Sequence, residues 1–369
     1  MKKSLFNAGI IGCGNISSIY CKRIMEFSVL HLAACADLDR AKAEARAAEF
    51  AIPRVLSPDE LIANPAIDIV LNLTVPKAHF DVARRALEAG KHVYNEKPLC
   101  VELADGKSLV KLARKQRRLL GCAPDTFLGA GLQTCRKLID DGVIGTPIAA
   151  TAFMMCHGHE SWHPSPEFYY QHGGGPMLDM GPYYLTALIA LMGPVARVCG
   201  SASISFPTRT ITSQPKYGTL IPVETPTHIQ TVLEFASGAC ATLITSFDVW
   251  AAQLPHIEIY GTLGTLSVPD PNTFGGPVKL FLPGKHDWAE VPLTHGFAEN
   301  YRGLGLADLA CAARDKRPAR ASGTLALHVL EVMHAAINAG RFGKYIKIKS
   351  SCARPDALPA GTNESILNQ

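Results

Sequence analysis

Leu5-Phe6-Asn7-Ala8-Gly9-Ile10-Ile11-Gly12-Cys13-Gly14-Asn15-Ile16-Ser17 is the stretch on which the reading of this chain turns. Leu5–Ile11 reads as a buried strand, and it runs without a spacer into a glycine turn that opens a helical segment ending near Phe27. In such a turn the first glycine, Gly12, permits the sharp reversal, and the second, Gly14, lets a pyrophosphate approach the backbone. The helix start at Asn15 and Ile16 then offers free N–H groups and the positive end of the helix dipole. The third position of the G-x-G-x-x-small pattern is Ser17, small enough for close helix–strand packing. A second strand, Leu30–Ala36, leads to Asp37, twenty residues after Ser17. A carboxylate there receives the adenosine ribose hydroxyls and repels a 2′-phosphate. The pattern therefore predicts a dinucleotide site that takes NAD, with NADP the lesser alternative. Arg40 is the nearby cation that could accept a phosphate.

Outward from that turn, strand and helix keep alternating. A helix is expected over 39–50, a short strand near Val55 and a short helix over Pro58–Ala63. Strands at Ile69–Thr74, His92–Asn95 and Leu119–Ala123 alternate with helices at Lys77–Ala89 and Glu102–Arg117. Short loops between such units mean right-handed crossovers and a parallel sheet covered on both faces. The pattern changes near Asp125. After a helix at Leu132–Asp141 come longer alternating strands at 148–155, 196–205, 228–235, 239–247, 256–260 and 263–267, several joined by tight glycine turns. That spacing favours an open, mainly antiparallel sheet. Two helices, near 303–314 and 325–339, close the pattern. The expected fold is thus α/β: a doubly wound parallel-sheet domain over 1–124, an α+β domain over 125–349 and a loosely held tail over 350–369.

Composition narrows the function classes. In 369 residues the hydrophobic fraction is 47%, enough for a large core, and the net charge is only +4. Dispersed charge of that size gives no reason to expect nucleic acid or an anionic membrane surface as partner. The eleven cysteines form no C-x-x-C pair, and an odd, unclustered set points to reduced thiols. No uninterrupted apolar run reaches membrane-spanning length. A cytoplasmic protein is the expectation, and an uncovered sheet face in the second domain would call for a homo-oligomer, dimer or tetramer.

Two clusters carry chemistry. Glu96-Lys97-Pro98 follows a strand at the carboxyl end of the parallel sheet, where ligands bind in doubly wound folds. A lysine partly desolvated beside a cofactor cation can have its pKa lowered towards neutrality, which makes Lys97 an acid/base candidate. Further on, Gly173-Gly174-Gly175-Pro176-Met177-Leu178-Asp179-Met180-Gly181-Pro182-Tyr183-Tyr184 places Asp179 and Tyr183 four apart, on one face if the segment is helical, with Pro182 expected to kink it. A carboxylate and a phenol on one face can bind and polarise a carbinol.

Together these segments resemble the Gfo/Idh/MocA family of oxidoreductases. The shared features are the N-terminal glycine turn, E-K-P at 96–98, the Gly-rich D-x-G segment at 173–181 and the helix around 322–331. The resemblance implies a Rossmann domain joined to a larger domain with an open sheet, and NAD(P)-linked oxidation of a sugar or polyol hydroxyl. It implies Lys97 as the acid/base residue, Glu96 at the nicotinamide ribose, Asp179 orienting the substrate, and Thr74, Pro76 and His79 near the cofactor. Many members carry His four residues after the Asp, where this chain has Tyr183, so Lys97 and Tyr183 both stand as acid/base candidates.

His157-Gly158-His159-Glu160-Ser161-Trp162-His163 contains H-E-x-x-H, a zinc-hydrolase pattern when it lies on a helix. Pro164 and Pro166 argue against a helix through His163. No metal is therefore expected, and the segment reads as a loop over the substrate. Trp162 would stack on an apolar sugar face while His159, Glu160 and His163 hydrogen-bond hydroxyls. Besides a sugar or polyol dehydrogenase, the same residues leave room for an NAD-using glycosidase that oxidises transiently, or a non-catalytic nucleotide sensor.

Overall fold

The computed structural model describes residues 5–363. The first half alternates as β1 (Phe6–Ile11), α1 (Ser17–Ile24), β2 (Leu30–Ala36), α2 (Arg40–Phe50), α3 (Pro58–Ala63) and β3 (Ile69–Asn72). It continues through α4 (Pro76–Glu88), β4 (His92–Asn95), α5 (Leu103–Gln116) and β5 (Leu120–Cys122). The five strands form one parallel sheet in the order β2-β1-β3-β4-β5. Order reverses between β1 and β3, the switch point at which α/β sheets bind ligands. Val55 makes only an isolated parallel bridge to Cys35.

The second half adds α6 (Ala130–Asp140), β6 (Pro147–Met155), α7 (Gly175–Asp179), α8 (Gly181–Met192), β7 (Val195–Ser203), β8 (Thr208–Thr210) and β9 (Leu220–Pro222). Then follow β10 (His228–Phe235), β11 (Cys240–Ser246), β12 (Ile257–Gly261), β13 (Thr265–Val268), β14 (Val278–Phe281) and β15 (Ala289–Val291). The last elements are α9 (Leu304–Asp315), α10 (Gly323–Phe342) and β16 (Ile346–Lys347). Nine strands make a mixed sheet in the order β15-β14-β13-β12-β6-β11-β10-β7-β16, antiparallel except for β6 beside β11. Alternation along the strands drives the layering. Ile229, Leu233, Leu243, Ala150, Ala152 and Ile259 point inward and are buried, as is the whole of α8.

Several expectations are corrected. Pro182 does not kink one helix: α7 ends at Asp179, and Pro182 sits in the first turn of a new helix, where its missing N–H costs nothing. The parallel sheet ends with β5 and the mixed sheet begins with β6, but helices pack across the two. Helix α10 lies against α5, where a Cβ on Gly106 would come 2.9 Å from Leu330 Cδ2, and Ser322 bridges to Gly121 at the β5 edge. The stretch over 350–363 is not loose. Leu358 is buried, its N–H donates to Gln133 Oε1 at 2.7 Å and its carbonyl faces His295 Nε2 at 3.1 Å, while Arg136 and Arg320 reach the carbonyls of Pro355 and Asp356. Residues 364–369 of the predicted tail lie outside the described residues. The hairpin β8–β9, the strand β14 and the edge strands β15 and β16 are not expected from the sequence. At two to four residues each they are too short for a period-2 pattern to mark them.

The outward face of the nine-stranded sheet is not a plain apolar surface, as expected, but a mixed one. Partly exposed Phe153, Val232, Ile244 and Tyr260 alternate with Thr151, Thr242, Gln230 and Glu258. No helix among the described residues is long and apolar enough to cross a membrane.

Candidate active site

The dinucleotide turn is built as its sequence requires. Gly12 has φ +103°, and a Cβ there would stand 2.6 Å from the Leu73 carbonyl, so both the turn and the neighbouring strand demand glycine. Gly14 faces open space. Ser17 is fully buried and its hydroxyl donates to the Gly14 carbonyl at 2.6 Å, tying the turn to the first residue of α1. Asp37, just past β2, accepts the N–H groups of Cys13 at 2.7 Å and Asp39 at 2.9 Å, so one carboxylate fixes two loops beside the cleft. A cleft of about 560 Å³ runs from Asp37 and Leu38 past Gly12 and Gly14 to Thr74 and Val75. A glycine cradle at a helix start with an acidic residue across it fits a dinucleotide. Arg40 pairs with Glu44 at 2.8 Å and does not line the cleft.

Behind the cleft, the carboxyl ends of β3 and β4 carry a buried polar network. Asn72 donates to Asn95 Oδ1 at 3.0 Å and accepts the Thr74 hydroxyl at 2.7 Å, while Asn95 donates to the Leu99 carbonyl at 3.0 Å. Glu96 accepts the Tyr20 hydroxyl at 2.8 Å and the Lys97 N–H at 2.7 Å. Placement at strand ends explains the order: the sheet fixes the backbone, and the amides then hold the two following loops. His79 belongs to this network rather than to the cleft. It is 1% exposed, with its ring nitrogens 2.7 Å from the Pro98 carbonyl and 2.9 Å from that of Thr74, so its link to the cofactor is through those loops and not by contact.

A second cavity, about 430 Å³, adjoins the cleft and shares Leu73 and Thr74 with it. Ile16, Pro76, Glu96, Lys97, His159, Trp162, Asp179 and Tyr183 all line it, so with Thr74 nine of the residues expected from sequence meet in one place. Lys97 Nζ lies 2.8 Å from Asp179 Oδ1 and 2.8 Å from the Asp179 carbonyl, and 5.2 Å from the centre of the Tyr183 ring. His159 Nε2 faces Asp179 Oδ2 at 3.3 Å. Its imidazole is edge-on to Trp162, Tyr169 and Phe247, with the Tyr169 centroid 4.2 Å away.

The electrostatics reverse one expectation. Burial pulls the Lys97 ammonium down, but the Asp179 carboxylate outweighs it, with help from Tyr183 and Glu96, and holds the lysine well above its usual value. Lys97 is therefore a firm cation, not a neutralised base. The same contact works on Asp179: burial pushes its carboxyl up, yet Lys97 and then His159 hold it well below the usual carboxylate range. Burial raises the Tyr183 phenol against the opposing pull of Lys97 and Arg302.

Two other residues lie elsewhere than expected. Glu160 is buried away from the cavity. Its carboxylate accepts the Tyr170 hydroxyl and lies 3.4 Å from Arg209 Nη1, because a dry carboxylate needs a cation and donors. His163 packs on Phe168 and Tyr169 and accepts the Ser165 N–H at 3.0 Å, outside the cavity lining. The H-E-x-x-H segment is a single turn, with the His163 N–H on the His159 carbonyl at 2.9 Å, and its side chains diverge to different neighbours. Sequence reasoning missed Tyr20, Phe168, Tyr169, Asn272 and Arg302. The aromatic run 168–170 was a usable signal. Asn272 and Arg302 come from distant loops and carry none.

Comparison with known proteins decides the family. Residues 6–123 match the profile described as an oxidoreductase family with an NAD-binding Rossmann fold, and residues 132–267 match the Gfo/Idh/MocA C-terminal domain. The chain belongs to the Gfo/Idh/MocA family. Residues 6–123 are that family's NAD-binding Rossmann domain. Among curated relatives, it is 34% identical over 205 residues to dTDP-3,4-didehydro-2,6-dideoxy-alpha-D-glucose 3-reductase of Saccharopolyspora spinosa, spanning 53% of this chain and 58% of that protein. It is 31% identical over 166 residues to inositol 2-dehydrogenase of Salmonella typhimurium, spanning 44% and 48%. The chain thus spans about half the length of these curated relatives. A solved NAD binding oxidoreductase from Klebsiella pneumoniae shares the fold, with TM-score 0.83 at 20% identity over 94% of this chain and 100% of that one. The aldose-aldose oxidoreductase from Caulobacter crescentus, complexed with glycerol, gives 0.77 at 25% identity over 93% and 99%.

Proposed function

We propose that this family member is an NAD-dependent dehydrogenase that oxidises a hydroxyl of a sugar, polyol or sugar derivative. The observation that carries the reading is the Lys97–Asp179 pair in the wall of the cavity that adjoins the dinucleotide cleft. Bound NAD would supply the hydride acceptor. Gly12, Gly14, Asn15, Ile16 and Asp37 would hold its adenosine and pyrophosphate portions, and Thr74, Pro76 and Glu96 the nicotinamide end. Two of the three Lys97 N–H groups are taken by Asp179, which leaves one for the reacting oxygen of the substrate. The charged lysine stabilises negative charge that develops on that oxygen, and the Tyr183 hydroxyl beside it is the second donor. Trp162, 62% exposed at the rim, would stack on an apolar face of the sugar ring.

The relatives named above as an inositol dehydrogenase and a sugar reductase support this substrate class. The test is absorbance at 340 nm with NAD and NADP against a panel of aldoses, polyols and inositols. Reduction of NAD by at least one of them is expected, and no turnover with either cofactor would remove the reading. We further propose a cytoplasmic homo-oligomer joined through the outward face of the nine-stranded sheet. Support comes from the partly exposed Phe153, Val232, Ile244 and Tyr260 and from eleven free cysteines. A monomeric mass by light scattering at micromolar concentration would contradict the assembly.

A further inference from the structure

We propose that His159, from the loop after β6, is the general base that removes the substrate hydroxyl proton, with Asp179 as its orienting carboxylate. This rests on the dehydrogenase reading above and assigns the one task which that reading leaves open.

Neither of the other candidates is free to take a proton. Lys97 is bound by Asp179 through two hydrogen bonds and stays an ammonium, with no lone pair to offer. Tyr183 is a buried phenol whose ionisation burial opposes. Imidazole is the side chain that exchanges a proton near neutral pH, and His159 brings one to the cavity wall. Its Nε2 lies 3.3 Å from Asp179 Oδ2. Asp179 is held as a carboxylate and can only accept, so Nε2 carries the hydrogen and Nδ1 keeps the lone pair. The edge contacts from Trp162, Tyr169 and Phe247 fix the ring in that orientation. A carboxylate that selects the tautomer and steadies the resulting imidazolium is the arrangement of general-base histidines elsewhere. In this chain the imidazole comes from a loop twenty residues before Asp179, while Tyr183 occupies the position four residues after it.

The substrate O–H bond breaks and its proton forms an N–H bond at His159 Nδ1. The C–H electron pair of the carbinol leaves with its hydrogen for the nicotinamide dinucleotide, the oxidant, and the carbinol becomes a carbonyl. The charged and titratable groups around His159 are Asp179 at the end of α7, Lys97 after β4, Tyr169 and His163 on the covering loop, and Tyr183 and Arg302 in the same cavity wall.

The test has an activity arm and a spectroscopic arm. His159→Gln and His159→Ala are expected to lower kcat by about a hundredfold or more, to keep NADH affinity by fluorescence within about threefold of wild type, and to lose the acidic limb of the kcat/KM pH profile. Added imidazole should restore part of the activity of His159→Ala. In the full-length protein, 15N spectra of the histidines, with His159→Gln for assignment, should show the Nε2–H tautomer for His159. Asp179→Ala, which removes the acceptor facing Nε2, should release that preference. If wild type oxidises a sugar and the His159 variants match it, the base is another group and the dehydrogenase reading survives. An Nδ1–H tautomer, or a tautomer indifferent to Asp179→Ala, overturns the assignment as well. If wild type oxidises nothing on the panel, both proposals fall.

Discussion

Along the dinucleotide cleft the working groups are mostly backbone. The Gly12–Ser17 turn, the start of α1 and the loop held by Asp37 all come from the first 37 residues, placed by a regular parallel sheet. The cavity beside it is made almost wholly of side chains, drawn from the β4 loop, the loop after β6, α7, α8 and the loops at 272 and 302. The first region is a local solution to one problem, charge at a helix start, and any chain with that turn can repeat it. The second exists only because two sheets and their helices bring remote loops within 3 Å of each other, as Lys97 and Asp179 show. Substitutions in the two regions should therefore fail in different ways.

The largest expected difference is in the side-chain cavity. Lys97→Met should lower kcat about 10²- to 10³-fold while NADH binding, followed by fluorescence, changes little. Equal losses in both would mean that Lys97 belongs to the nucleotide region and would erase the contrast. Next comes Asp37→Ala, which removes a charge-assisted acceptor and should weaken NAD roughly ten- to a hundredfold, leaving the KM for sugar at saturating NAD near wild type. Calorimetric titration of NAD is the direct measurement, and a parallel gain for NADP would sharpen the assignment of the carboxylate. Trp162→Ala should raise the KM for sugar about two- to tenfold, the size of one aromatic contact, with NAD affinity intact. A shift in NAD affinity instead would show that the rim serves both ligands.

The smallest effect is on stability. Asp179 is depressed in the folded protein, so its contribution is fully present above the ordinary carboxyl value of 3.8 and is lost as pH falls below it. Urea melts between pH 7 and 3 should show a loss that Asp179→Asn reduces. An identical pH dependence in the variant would mean that the pair contributes nothing to folding.

How much could be read in advance follows the same division. The strands His92–Asn95 and His228–Phe235 and the helix Pro58–Ala63 fall where periodicity and caps place them, because a buried strand or a capped helix is written in adjacent residues. The capping box of Ser57 and Glu60 is an example. Lys97, Asp179 and Tyr183 were legible as candidates, but the charge state of Lys97 was not, since it depends on a carboxylate 82 positions away. Glu160 and His163 share a segment with His159 and Trp162, and spacing could not tell which two of the four face the cavity. A loop without a fixed period gives its side chains no common direction.

By itself the sequence determined the parallel nucleotide domain, the glycine turn at its first helix start, the acidic residue across from it, and the two segments that carry the candidate reacting groups. These depend on φ, on short-range hydrogen bonding and on the alternation of apolar residues, all of which are local. Only the tertiary structure decided that Lys97 is a fixed cation, that Asp179 is shared between Lys97 and His159, that His79 supports the cleft from behind, and that Asn272 and Arg302 complete the wall. Those properties are set by distances across the fold and by the water that folding removes, and neither exists until remote segments have met.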